Sequence, residues 1–218
     1  MVDGIWPLLV VPLIAVVAIR TGSVTLGGGL LGALVAGKLA AGLGWGGVAM
    51  LATLLVLGTL VSRRGSRRRD PVQVFCDGGV AWIGGWLAWR GDAAGVVLAA
   101  GALSTALSDT LSGELGRRFS KAPRLLLLGP RRDAGFDGAM SWPGVLAGIL
   151  GAAAVALTGW ACGTLGPEVA RSVVFAGLIG NLADSVLGWL WQPHLGPRGN
   201  DWTNLFATAI GGVAALLI

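Results

Sequence analysis

Apolar residues in this chain come in runs of membrane-spanning length, separated by short polar or charged interruptions. A spanning helix needs about 20 apolar residues, with a range of about 17–25. Eight runs meet or approach that length: Ile5–Ile19, Ser23–Gly42, Gly46–Val61, Gly78–Trp89, Ala93–Leu111, Pro143–Ala161, Val169–Trp191 and Trp202–Ile218. The first and fourth are short enough to be half-helices or interfacial helices. The pattern therefore predicts an all-α, polytopic transmembrane bundle of about six to eight helices. It forms a single integral membrane domain over residues 1–218, with no room between runs for a soluble domain. The longest gap, Gly116–Trp142, has the length of loops that carry function. Met1–Ile19 lacks a basic leading region and a small-residue cleavage motif, and reads as a retained helix.

Composition supports this pattern. Hydrophobic residues make up 54% and charged residues 12%, against roughly 25% charged in soluble domains. Mean hydropathy is +0.75. The 38 glycines suit helices that approach closely in lipid. The net charge of +5 does not indicate nucleic acid, because the arginines sit in short loops between apolar runs, where they set topology. Arg63, Arg64, Arg67, Arg68 and Arg69 occupy one loop. Arg117, Arg118, Lys121, Arg124, Arg131 and Arg132 occupy another, two runs later. Both are expected on the cytoplasmic side, together with the Trp191–Trp202 loop. Most tryptophans fall at run boundaries, as interface belts require, while Trp82 and Trp86 are expected to pack within a helix. Cys76 and Cys162 fall at opposite faces, which argues against a disulfide.

Six of the 11 acidic residues gather at the cytoplasmic ends of different runs: Asp77, Asp109, Glu114, Asp137, Asp184 and Asp201. Ionisable groups near a bilayer are costly, and their default reading is functional. Helical spacing places Thr105, Asp109 and Ser112 on one stripe, with Glu114 off that face unless the helix breaks at Gly113. Asn181, Asp184 and Ser185 share a face, as do Asp201 and Asn204, and Asp201 is also a candidate cap for the last helix. Asp77-Gly78-Gly79 and Asp137-Gly138 read as acidic turns whose glycines allow close backbone approach to a ligand. Oxygen donors of this kind suit Mg2+, which takes one or two carboxylates plus substrate phosphates. Neighbouring arginines suit phosphate oxygens. The same groups would also serve an ion or proton path.

Other signals carry less. His194 lies in a Pro-flanked loop, no serine has a histidine base beside it, and no Walker A pattern is present. Gly28-xxx-Gly32 and Gly144-xxx-Gly148 read as packing motifs, and Lys38 as a snorkelling side chain near an outer end.

Four ordered stretches carry a family resemblance. They are Gln73–Ala81, Ser108–Gly116, Gly135–Ser141, and Gly180–Ser185 with Asn200–Asn204 after it. Their order resembles the membrane family that includes transmembrane protein 19 and the plant phytyl-phosphate kinase, from about Thr21 to the C-terminus. The resemblance implies an enzyme that phosphorylates a phytyl or prenyl monophosphate to the diphosphate, using CTP or another nucleoside triphosphate. Carried over residue by residue, it marks Asp77, Asp109, Glu114, Asp137, Asn181, Asp184, Asp201 and Asn204. Two departures stand out: the family pattern has Asn where this chain has Asp77, and a Gly-Thr turn where it has Gly135-Phe136.

The expectation is thus a CTP- and Mg2+-dependent, membrane-embedded prenyl-phosphate kinase. Asp109, Glu114 and Asp184 are the candidate catalytic residues, with Asp109 and Asp184 as metal ligands. Asp77, Gly78, Asp137, Gly138, Asn181, Asp201, Asn204, Arg117, Arg118, Arg131 and Arg132 are the candidates for binding substrate or nucleotide. A CTP-dependent lipid cytidylyltransferase and a small-solute or ion transporter are the alternatives. The expected partners are the prenyl or phytyl monophosphate, the nucleotide and the lipid bilayer, with no nucleic acid; a homodimer is left open. The Ala- and Gly-rich, Arg-over-Lys composition points to the plasma membrane of a prokaryote.

Overall fold

The computed structural model describes residues 6–62 and 68–218. Ile5, Arg63, Arg64 and Arg67 lie outside the described residues. Among the described residues seven α-helices follow in order: α1 (Trp6–Arg20), α2 (Leu26–Val61), α3 (Pro71–Trp89), α4 (Ala94–Phe119), α5 (Trp142–Ala161), α6 (Pro167–Leu190) and α7 (Gly199–Leu217). A two-residue hairpin, β1 (Arg124–Leu125) with β2 (Ala139–Met140), lies between α4 and α5. The fold is the all-α polytopic bundle that the hydrophobic pattern predicts.

Glycine explains how seven helices accommodate eight apolar runs. At Gly44 the backbone leaves the helical region (φ 62, ψ −144), a conformation that glycine adopts without a Cβ penalty. The two limbs of α2, residues 26–43 and 45–61, therefore fold back on each other. Ala36 and Ala40 of the first limb pack with Val48 and Leu51 of the second, and Val11 of α1 joins them. By length and composition, α2, α4, α5 and α6 are long and apolar enough to cross a membrane.

Caps set where the helices begin. Asp70 accepts hydrogen bonds from Val72 N (3.0 Å) and Gln73 N (3.1 Å), and Pro71 fills the first helical position. Helix α3 consequently starts seven residues before the apolar run and reaches 19 residues, about 28 Å at 1.5 Å per residue. Asp77-Gly78-Gly79 is thus helical, not the turn expected from its glycines. Thr25 caps α2 through Gly28 N, and Ser141 caps α5 through Gly144 N.

Helix α4 is the centre of the bundle and packs against α2, α3, α5, α6 and α7. Its polar side chains sit inside, and its neighbours make room with small residues. Ser104 Oγ donates to Val173 O at 3.0 Å, and Thr105 Oγ1 donates to Gly101 O at 2.9 Å. Side chains at Gly180 or Gly211 would overlap Thr105, so α6 and α7 reach α4 only because those positions are glycine. Large apolar side chains such as Leu34, Leu150, Leu157 and Phe175 point outward, as a lipid-facing surface requires. Trp82 and Trp86 are also exposed rather than packed inside: the Lys38 ammonium lies 6.0 Å from the Trp82 ring and 4.4 Å from Trp89, and Arg90 lies 5.7 Å from Trp86.

Candidate functional site

Arginine-bearing loops and a large polar cavity share one end of the bundle. The cavity, about 620 Å3, is lined by residues of α2, α3, α4, α6 and α7, the 21–23 turn and the 120–141 loop. No residue of the opposite loops at 90–93 or 162–166 lines it.

The floor is acidic. Asp109 from α4 and Asp184 from α6 bring their carboxyls within hydrogen-bonding reach of each other. Two carboxyls in contact need a proton or a cation between them. The Thr203 hydroxyl lies near the Asp184 carboxyl, yet Asp184 Oδ1 is buried without a hydrogen-bond partner. Asp77 stands beside this pair and accepts from Asn204 Nδ2 at 3.1 Å. The Asn204 Oδ1 and Thr59 Oγ1 atoms are likewise buried without partners on the cavity wall. Unsatisfied buried oxygens are uncommon, and several around one cavity make a ready set of donors for a ligand. Among the described residues, no three His, Cys, Asp or Glu side chains are grouped to hold a metal by themselves.

The wall opposite carries cations. Arg69 lines the cavity and interacts electrostatically with Asp77. Its backbone is pinned to the turn before α2: Arg69 N donates to Ser23 O (3.2 Å) and Thr25 N donates to Arg69 O (3.0 Å). A Cβ at Gly58 would lie 2.8 Å from the Arg69 guanidinium, so that glycine leaves the space the side chain occupies. Arg117 also lines the cavity, paired with Glu114 at 3.2 Å.

The 120–141 loop closes one side. Gln192 Nε2 donates to Asp137 Oδ1 at 2.7 Å, tying the loop to the turn after α6. Partial burial pushes the Asp137 carboxyl above its ordinary value. A second tie lies at the rim, where Arg198 bridges Asp70 (3.1 Å) and Asp201 (3.0 Å) and so joins the starts of α3 and α7. The Gln73 backbone amide, with Arg198 adding to it, holds Asp70 below the ordinary carboxylate range despite some desolvation. The Asp201 contact, then Asp70, raises the Arg198 guanidinium.

The structure brings Asp77, Asp109, Glu114, Arg117, Asp137, Gly138, Asn181, Asp184 and Asn204 to one cavity. Helix α4 runs unbroken through Gly113, and Glu114 reaches the cavity because the cavity is wide. Five candidates fall elsewhere. Asp201 is buried against Arg198, in the first turn of α7 and not at its cap. Gly78 faces a separate apolar cleft. Arg118 and Arg132 lie over the rings of Phe119 and Phe136, and Arg131 pairs by backbone with Arg124, all three exposed and outside the cavity lining. Arg69, Gln73, Thr59 and Gln192 line the cavity without having been singled out. In the sequence Arg69 is only a topology signal, because its contact with the 23–25 turn depends on a pairing across the chain that spacing does not reveal.

Known proteins are similar to this chain in sequence. The chain is 32% identical over 188 residues to an uncharacterized membrane protein of Methanocaldococcus jannaschii, covering 78% of this chain and 74% of that one. It is 34% identical over 116 residues to the chloroplastic protein VTE6 of Arabidopsis thaliana, covering 52% of this chain and 35% of VTE6. No solved structure matches it. The match that spans every element around the cavity is to a family model, Integral membrane protein DUF92, over residues 9–212, and the chain belongs to that family.

Proposed function

We propose that this protein is a membrane-embedded kinase that transfers a phosphoryl group from CTP, or another nucleoside triphosphate, to a prenyl or phytyl monophosphate. The observation that carries the reading is the Asp109–Asp184 pair at the floor of a polar cavity whose wall bears Arg69 and Arg117. The ordered motifs that resemble the transmembrane protein 19 and phytyl-phosphate kinase family supply the cavity, and VTE6 is among the relatives. An acidic floor beneath a basic wall suits phosphates held through both a divalent cation and guanidinium groups.

The donor set fits Mg2+. Two carboxyls in contact and the partnerless Asp184 Oδ1 offer hard oxygen ligands, and so small a ligand set leaves coordination positions for phosphate oxygens. When bound, Mg2+ supplies neutralisation of the phosphate charge. The chain's own residues do the rest. Arg69 and Arg117 hold the two phosphate groups against each other, Asn181 and Asn204 orient them, and the loop anchored through Asp137 shields the cavity. The acceptor's phosphate oxygen forms a bond to the γ-phosphorus, the bond to the bridging oxygen breaks, and the nucleoside diphosphate leaves. The acceptor oxygen is already anionic, so positioning and charge neutralisation carry the catalysis.

The site end faces the cytoplasm in this reading. Among the described residues, Arg68, Arg69, Arg117, Arg118, Lys121, Arg124, Arg131, Arg132 and Arg198 lie in its loops or the last turn of α4, whereas Lys38, Arg90 and Arg171 lie toward the other end. With an Ala- and Gly-rich composition, the membrane is the plasma membrane of a prokaryote.

The test uses purified protein in detergent with Mg2+ and farnesyl, geranylgeranyl or phytyl monophosphate, with CTP, ATP, GTP and UTP supplied in turn. Mass spectrometry is expected to find prenyl diphosphate with the nucleoside diphosphate, both lost in Asp184→Asn. Pyrophosphate with a CDP-lipid would replace the kinase by a cytidylyltransferase. No turnover with any donor would overturn both.

A further inference from the structure

A second cleft, almost wholly apolar, abuts the polar cavity. It holds about 90 Å3 between α1, the two limbs of α2 and the first half of α3. Its walls are aliphatic: Val11, Ala18, Leu54 and Val74 among others. Two of its lining residues, Arg69 and Asp77, also line the polar cavity. The boundary between the two runs between neighbours in sequence, since Asp77 faces both spaces and Gly78 only the apolar one. A charged guanidinium where an apolar cleft opens into a phosphate-sized polar cavity matches one kind of molecule: a hydrocarbon chain ending in an anion.

We propose that this cleft receives the head-proximal carbons of the phosphate-bearing lipid, with Arg69 gripping the phosphate at the junction. The inference rests on the reading of the polar cavity as a phosphate site, and adds to it where the tail goes and what the protein can sense of it. Size sets the second point. A cleft of about 90 Å3 is small beside the polar cavity of about 620 Å3, with room for a short stretch of hydrocarbon and not for a whole farnesyl or phytyl chain. The remainder of the tail lies in the bilayer beyond α1 and α2. The protein therefore reads the carbons next to the phosphate and not the length of the chain.

Gly32 offers a clean way to close the cleft. A Cβ there would have one neighbour, Val74 Cγ1 at 3.9 Å, so a larger side chain grows into the cleft and not into backbone. Gly37, on the same limb, has nothing within 4 Å of its Cβ position and does not line the cleft, and it serves as the control.

The experiment uses the full chain in nanodiscs and a farnesyl monophosphate carrying a diazirine on the isoprene unit next to the phosphate. After irradiation, labelled residues are mapped by mass spectrometry without any nucleotide present. Labels are expected on α1, α2 and the start of α3. Gly32→Ile and the milder Gly32→Ala should reduce labelling, the isoleucine by about tenfold, in the range a pocket shows for one or two misplaced methylenes. Gly37→Ile should leave labelling unchanged. Geranyl, farnesyl and geranylgeranyl monophosphates should compete equally, and farnesol should compete weakly. Labels on α5–α7, or undiminished labelling in Gly32→Ile, would overturn the tail site even if kinase turnover is observed. Labels in the cleft without turnover would uphold the tail site and sink the kinase.

Discussion

Replacing Gly138 by alanine tests whether the 120–141 loop docks on α6 as described. Gly138 has φ +78, in the left-handed region, where an L-residue pays about 1–2 kcal/mol. Its Cβ would also lie 2.6 Å from Trp189 Cβ and 2.7 Å from Ser185 O, one position along the chain from Asp184. Overlap with a helix backbone cannot be relieved by a rotamer change, and overpacking of this kind costs about 1–3 kcal/mol. The sum, about 2–5 kcal/mol, corresponds to a shift of about thirtyfold or more in the docking equilibrium at about 1.4 kcal/mol per tenfold. Gly135→Ala is the matched control, because φ is +95 there and the nearest atom is Arg117 Cδ at 4.0 Å, so it pays only the conformational term. Hydrogen exchange read on peptides covering Leu126 and Ala139, whose amides donate to Gly138 O and Phe136 O, reports loop opening directly. Exchange in Gly138→Ala should exceed that in Gly135→Ala by about fivefold or more, and under the proposed kinase reading KM for the lipid phosphate should rise as well. Equal exchange in the two variants would refute the docked geometry and the shielding role given to this loop.

Two further predictions concern charge. Asp70→Asn keeps an oxygen that can cap α3 but loses the ionic contact with Arg198; because the folded value of Asp70 lies below 3.8, its stabilisation is present above pH 3.8 and fades as pH falls through that lower value. Thermal unfolding should thus show the variant less stable at neutral pH and equal to wild type in strong acid, whereas a gap that persists in acid would point to lost capping instead. Asp137 behaves in the opposite sense: burial raises its folded value above 3.8, so its protonated form favours the docked loop, and that contribution is lost as pH rises through the raised value. Proteolysis within the loop should accelerate with pH in wild type and stay flat in Asp137→Asn, and parallel profiles would exclude Asp137 as the cause.

Hydrophobic run lengths revealed the bundle because lipid imposes them: a backbone in hydrocarbon must satisfy its own hydrogen bonds, and helices of fixed length are the economical solution. Runs Ser23–Gly42 and Gly46–Val61 correspond closely to the limbs of α2, since the break between them is a glycine with positive φ. The start of α3 was misplaced because Gln73 and Asp77 look like loop residues by polarity, while the Asp70-Pro71 cap that decides the matter is a local hydrogen-bond pattern. Asp109 and Asp184 were legible as polar residues on apolar helices, and their i+3 and i+4 companions gave the facing. Their mutual contact was not, because it depends on how α4 and α6 cross, through Gly177 and Gly180 packed on Ser104 and Thr105. The loop arginines divided only in three dimensions: Arg117 faces the cavity, while Arg118 turns onto Phe119 one residue later.

Arg69 separates a topology signal from a binding group. A positive-inside signal asks for a number of cations near a membrane end and places no demand on where each one points. Arg68 meets that description, exposed at the edge of the loop. Arg69 does not: two backbone hydrogen bonds fix its main chain to residues 23 and 25, Gly58 leaves room for its guanidinium, and Asp77 supplies an opposing charge. Holding a cation at the junction of a polar cavity and an apolar cleft has an electrostatic cost that topology alone would not select for, because an exposed arginine serves topology equally well. In the proposed reading a bound anion offsets that cost, and this position offers such an anion a hydrocarbon cleft on one side and an acidic floor on the other.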